Sequence, residues 1–155
     1  MPCARYAMVI LLVAASGLRA IEVLALRGND IDFKAGTIRV DESSDQRSNG
    51  ALGPCKNAAA YSTIVFADIE GLKTMQALRR FLRSSVPDEL VFRSRSGKPL
   101  LVTTILNRGP YPDLEALRLL KGGLHGFRRG CNRRWELAGI NPAVIRQQMG
   151  TVRIA

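Results

Sequence analysis

From Ala7 to Ala15 nine consecutive residues carry no charge and no strong hydrogen-bonding group. With Arg5 in front and small residues behind, the run imitates a secretory leader. It is too short to cross a bilayer, and past the Ser16-Gly17 break the chain continues as Leu18, Arg19, Glu22, Leu24 and Leu26, the pattern of an amphipathic helix. The reading is a buried first helix over 4–16, a change of direction at Ser16-Gly17, and a second helix over 18–27 with Ile21, Val23 and Leu24 inward.

Gly28-Asn29-Asp30 reads as a turn and Thr37 to Val40 as a short β-branched strand. The polar stretch 41–53 predicts a mobile hairpin loop, and Tyr61 to Phe66 predict a returning strand in which the Tyr61 side chain packs. Apolar positions at helical spacing from Asp68 to Ser84, with Lys73, Arg79, Arg80 and Arg83 opposite, predict an amphipathic helix that Pro87 ends. Leu90-Val91-Phe92 reads as extended and Ser96-Gly97-Lys98-Pro99 as a turn. Helical pieces are expected at 101–107 and 113–121 around Gly109-Pro110. Two more are expected at 125–138, with Phe127, Cys131, Trp135 and Ala138 in the core, and at 142–149 after Asn141. Helices, a hairpin-built sheet and more helices make an α+β, mainly α domain, and the order contradicts a doubly wound sheet.

The 155 residues suit one domain. Lys and Arg number 23 against 13 acidic residues, a formal charge of +10. Such a surplus points to a polyanionic partner, of which nucleic acid is the commonest, with no membrane expected. Cys3, Cys55 and Cys131 are far apart and odd in number, against both a disulfide framework and a zinc site. With one His in the chain, neither a two-imidazole site nor a His-rich metal cage can be built. The expectation is a cytoplasmic protein that uses no metal and no cofactor.

The lone His opens His125-Gly126-Phe127-Arg128 at a predicted helix start. Imidazole and guanidinium three positions apart can face one site, and the helix start favours a phosphate there. A guanidinium fork matches phosphate oxygens, and an imidazole exchanges protons near neutral pH. Upstream stand Gly17-Leu18-Arg19-x-x-Glu22 and Lys56; downstream, Gly139 and Gly150 lie eleven and twenty-two residues beyond Arg128. Further stretches are Asp30-Ile31-Asp32, Gly53-Pro54-Cys55-Lys56-Asn57, and Leu90-Val91-Phe92 before Gly97-Lys98-Pro99. In this order the segments resemble the catalytic domain of the tyrosine recombinases, the phage integrase family, from about residue 5 onward.

That resemblance implies double-stranded DNA as the partner and catalytic roles for Arg19, Lys56, His125 and Arg128. The two arginines would grip the scissile phosphate, Lys56 would protonate the departing 5′ hydroxyl, and His125 would handle the nucleophile's proton. Glu22 is expected to orient Arg19 or cap structure. Arg129, Arg133, Arg134 and Arg146 suit either a solvated helix face or the DNA backbone, and Phe127 and Trp135 are expected in the core.

The chain also departs from the family pattern. Arg129 stands where a second His is common, and Thr151 stands where His or Trp is usual. The nucleophilic Tyr of the family falls about nine residues further on, and Tyr6, Tyr61 and Tyr111 lie elsewhere. An N-terminal DNA clamp of roughly a hundred residues has no counterpart in the eighteen residues before Arg19. The expectation is therefore a single, partial catalytic domain over 1–155 that binds DNA without cutting it, with exposed apolar surface favouring association with a second copy or a full-length recombinase. Two alternatives stand: activity only when Tyr is donated in trans, and a decayed integrase remnant.

Overall fold

The computed structural model describes residues 4–55, 61–66, 68–69 and 71–150; Cys3, Lys56 and Thr151 lie outside the described residues. The apolar run forms α1 (Ala4–Ser16), with Val9, Leu12 and Val13 fully buried. Ser16 ends it by donating its hydroxyl to the Leu12 carbonyl at 2.6 Å and accepting the Leu18 N–H at 3.2 Å. Gly17 follows at φ 69°, and a Cβ there would meet Met149 Cε at 3.0 Å and Cys131 Sγ at 3.4 Å. Both the left-handed backbone and the close approach of a later helix require glycine at this bend.

The second helix is shorter than the expected 18–27: α2 spans Ala20–Val23. Leu24, Ala25 and Leu26 are all buried, and three successive residues cannot share one face of a helix. The chain instead leaves the helix through a tight turn, in which the Ala25 and Leu26 N–H groups donate to the Glu22 and Val23 carbonyls at 3.1 and 3.3 Å, and the Leu26 carbonyl then accepts the Val91 N–H at 2.9 Å. A 3₁₀ turn at Gly28–Asp30 leads into β1 (Ile31–Asp32), which pairs antiparallel with β2 (Thr37–Val40). The other side of β2 pairs antiparallel with β5 (Ser62–Val65), giving the order β1-β2-β5. Tyr61, expected to pack, stands just before β5 and is 48% exposed.

The segment expected to be a mobile hairpin loop is indeed a hairpin, but one with a regular ladder, β3 (Glu42–Asp45) against β4 (Ala51–Pro54). Its polar composition hides what fixes it. Asp45 accepts the Arg47 N–H at 3.0 Å and the Ser48 hydroxyl at 3.0 Å, and Gly50 turns the tip at φ 79°. Arg27 Nε reaches Glu42 at 3.1 Å, and Gln46 Oε1 accepts the Val102 N–H at 2.7 Å.

After β5, α3 covers Thr74–Phe81 rather than the expected 68–84. Gly71 and Lys73 at positive φ exclude a helix before Thr74, and Leu72, expected inward, is exposed. Phe81 stacks on Phe92 with ring centroids 5.7 Å apart. Then come α4 (Val102–Arg108), α5 (Pro110–Ala116), α6 (Leu124–Leu137) and α7 (Pro142–Gln148). No helix among the described residues is long and apolar enough to cross a membrane.

The main core joins α1, the sheet, α3 and α4, while Cys131, Trp135, Ile145 and Met149 form a second cluster between α6 and α7. On α6 the inward positions are Leu124, Arg128, Cys131 and Trp135. Trp135 is buried as expected, whereas Phe127 faces solvent and a cation takes the inner place beside it.

Asp30 anchors the sheet from a buried position, accepting the Arg27 N–H at 2.8 Å and an Arg39 guanidinium N–H at 2.6 Å. Asp30→Ala is expected to lower the stability to urea by about 1–3 kcal/mol, through loss of the backbone cap and an unpaired buried N–H. Arg39→Ala is expected to cost less than about 1 kcal/mol, because the Arg39 side chain is largely exposed.

Candidate phosphate-binding site

The bend after α1 brings the start of α2 against the start of α6. A cleft of about 350 Å³ there is lined by Arg19, Ala20, Ile21, Val102, Gly123, Leu124, His125 and Arg128. Arg19 thus meets the single imidazole and Arg128, both more than a hundred positions further along the chain, at one opening.

Arg19 is the residue at which α2 begins, with extended backbone. Its N–H donates to Glu22 Oε2 at 2.8 Å and its Nη1 donates to Glu22 Oε1 at 2.8 Å. Buried Glu22 therefore performs both expected tasks: it caps the helix start and fixes the direction of the guanidinium. Among the described residues only Glu22 bonds the Arg19 side chain, which remains about one-third exposed.

Arg128 is the stranger group, since it is only 5% exposed. Its Nη2 donates to the Met149 carbonyl at 2.6 Å, and its Nη1 is buried with no partner among the described residues. Burial first, and then the neighbouring charge of Arg19, pull its pKa below the ordinary arginine value, with Glu22 acting in the opposite sense. A buried N–H donor without an acceptor costs free energy, so the cleft holds an unmet demand for an acceptor. The local charges, two guanidinium cations against one carboxylate, leave a net positive cleft.

His125 lies exposed in the first turn of α6, a helix with no acidic residue at that end. The partial positive charge of the helix start adds to the cleft. Lys56 and Thr151, given roles at the sequence level, fall outside the described residues.

The four arginines weighed as DNA contacts differ in placement. Arg129, Arg133 and Arg146 are exposed, and Arg133 faces Glu136 at 3.5 Å. Arg134 is instead turned inward, donating through Nη1 and Nη2 to the Ala14 carbonyl at 3.1 and 3.2 Å. It satisfies an orphan carbonyl in the last turn of α1, so its guanidinium is committed to the fold. Sequence reasoning gave no part to Met149, Val102 or Gly123. Met149 contributes a main-chain oxygen, for which no residue pattern gives a signal; a helix start after Gly123 was legible but was placed one residue late.

Two larger clefts lie elsewhere. One, of about 670 Å³, is lined in part by Arg5, Arg93 and Arg95. The other, of about 600 Å³, contains Arg27, Asp30, Arg39, Asp41 and Glu42, whose charges pair with one another.

The described fold is that of a tyrosine recombinase catalytic domain. The Tn1549 transposon integrase, solved in complex with transposon right end DNA, superposes with a TM-score of 0.75 at 18% identity, over 97% of this chain and 52% of that one. The XerA recombinase matches at 0.70 and 17% identity, over 97% and 50%. The XerH recombinase bound to its difH substrate matches at 0.65 and 17%, over 97% and 40%. The chain therefore spans about half the length, or less, of these solved recombinases. No curated protein matches it by sequence. The phage integrase family model covers residues 2–155, and the chain belongs to that family.

Burial raises the thiol pKa of both Cys55 and Cys131 above the ordinary value. Both are expected to resist iodoacetamide at neutral pH in the folded protein and to react fully in denaturant. Peptide mass mapping of the two sites checks this.

Proposed function

We propose that the cleft binds a phosphodiester of duplex DNA, with Arg19 and Arg128 gripping the non-bridging oxygens from two sides. The observation that carries this reading is the buried Nη1 of Arg128, without a partner among the described residues and beside a second guanidinium. A phosphate oxygen supplies the missing acceptor and neutralises two like charges at once. The family's DNA chemistry agrees with it, and the Tn1549 and XerH relatives were solved with DNA.

In the parent reaction of site-specific strand exchange, charge builds on the phosphate oxygens as a nucleophile attacks, and fixed guanidinium groups stabilise it. His125 at the cleft suits transfer of the nucleophile's proton, and Lys56 is assigned the leaving 5′ hydroxyl on the family resemblance alone. Arg129, Arg133 and Arg146 would add contacts to the backbone of the same duplex, supporting recombination and integration of mobile DNA.

Duplex binding measured by fluorescence anisotropy should weaken steeply with salt as counterions are released. Arg19→Ala should weaken it about 10- to 100-fold and lower the salt slope by about one. Arg128→Lys, which keeps the charge and loses the planar fork, should weaken it about 10- to 100-fold with the slope unchanged. A salt-independent affinity, or none at all, would favour the decayed remnant and remove the phosphate reading.

A second reading concerns the nucleophile. No tyrosine is among the residues lining the cleft: Tyr6 is buried in the main core and Tyr111 lies against Lys121. The described cleft by itself suits phosphate binding, and a tyrosine for strand cleavage would come from outside its lining, supplied by another molecule under the trans reading. A suicide substrate mixed with this chain should give no adduct that survives denaturation. Adding a Tyr-containing partner whose own phosphate site is disabled restores cleavage only under trans donation.

A further inference from the structure

The end of α7 touches two parts of the molecule through successive residues. Gln148 Oε1 accepts the Val65 N–H at 3.1 Å, across 83 positions of chain. Val65 belongs to β5, the outer strand of β1-β2-β5, so this N–H faces a side of the sheet with no further strand among the described residues. The next residue, Met149, gives its carbonyl to Arg128 Nη2 at 2.6 Å, while its side chain is buried with Cys131, Trp135 and Ile145. A guanidinium is a rigid planar fork, so the position of the Met149 oxygen sets where the unpartnered Nη1 points.

We propose that Gln148 is a positioning residue for the phosphate grip: by fastening the end of α7 to the edge of β5, it holds the Met149 carbonyl where it aims Arg128 into the cleft. This rests on the reading that Arg128 meets a phosphate. α7 has seven residues, too few to hold its shape unaided, so the placement of its last carbonyl depends on such anchors. A displacement of about 1 Å stretches a 2.6 Å hydrogen bond beyond useful length and turns Nη1 away from a bound oxygen. The amide side chain does this without adding charge beside a site for a polyanion.

The test is a double-mutant cycle on duplex DNA affinity in the 155-residue chain, using Gln148→Met, which keeps length and removes the strong acceptor, and Arg128→Lys. Circular dichroism sets the temperature at which every variant is folded. Gln148→Met is expected to weaken binding about 3- to 10-fold and to lose nearly all of that effect in the Arg128→Lys background. Val65→Pro removes the same bond from the donor side and is tolerated at a sheet edge; it should reproduce the loss if Gln148→Met does not fold. Unchanged affinity with lowered thermal stability, or losses that simply add in the double variant, would overturn the positioning role. If Arg128→Lys itself leaves affinity unchanged, it is the phosphate reading that fails.

Discussion

A cation held out of water at Arg128 organises this part of the molecule. Removing a guanidinium from solvent is costly unless its donors are met, and here Nη2 is met by a main-chain oxygen while Nη1 is buried without a partner among the described residues. The neighbouring elements follow from that arrangement. α6 must present Arg128 inward, α7 must end where its carbonyl can reach, and Glu22 must hold Arg19 at the same opening.

The helix packing beneath supplies the rigidity. α6 is fastened to the end of α1 by Arg134 on the Ala14 carbonyl and by the Cys131 thiol on the Ala15 carbonyl at 3.7 Å. Gly17 lets the chain turn while Met149, Cys131 and Trp135 close over it. A Cβ at that point would press on the second cluster and, through Met149, on the group that orients Arg128.

Much of this was legible in the residues. The uninterrupted apolar run gave α1 its limits, β-branched residues marked β2 and β5, and Asn141-Pro142 announced α7, where Asn141 caps the Ala143 N–H at 2.8 Å. Arg19, His125 and Arg128 carried a recognisable pattern, and they line one cleft. Errors arose where tertiary contacts overrule local preference. Leu24 to Leu26 would extend a helix in isolation, but burial of all three successive side chains is met by a tight turn instead. The 41–53 segment looks mobile because its anchors, Arg27 and Val102, are distant in sequence. On α6 hydrophobicity assigns an inner place to Phe127, whereas Arg128 takes it, and a buried guanidinium has no signal in an apolar pattern. Arg134 looked like surface charge because an orphan carbonyl on another helix cannot be seen in a residue pattern.

The chain has a single tryptophan, and it sits in the small cluster between α6 and α7, apart from the main core. Its intrinsic emission is thus a local optical probe. A red shift on mild perturbation reports water reaching the α6–α7 seam that backs Arg128, even while the α1-centred core, which contains no indole, remains closed.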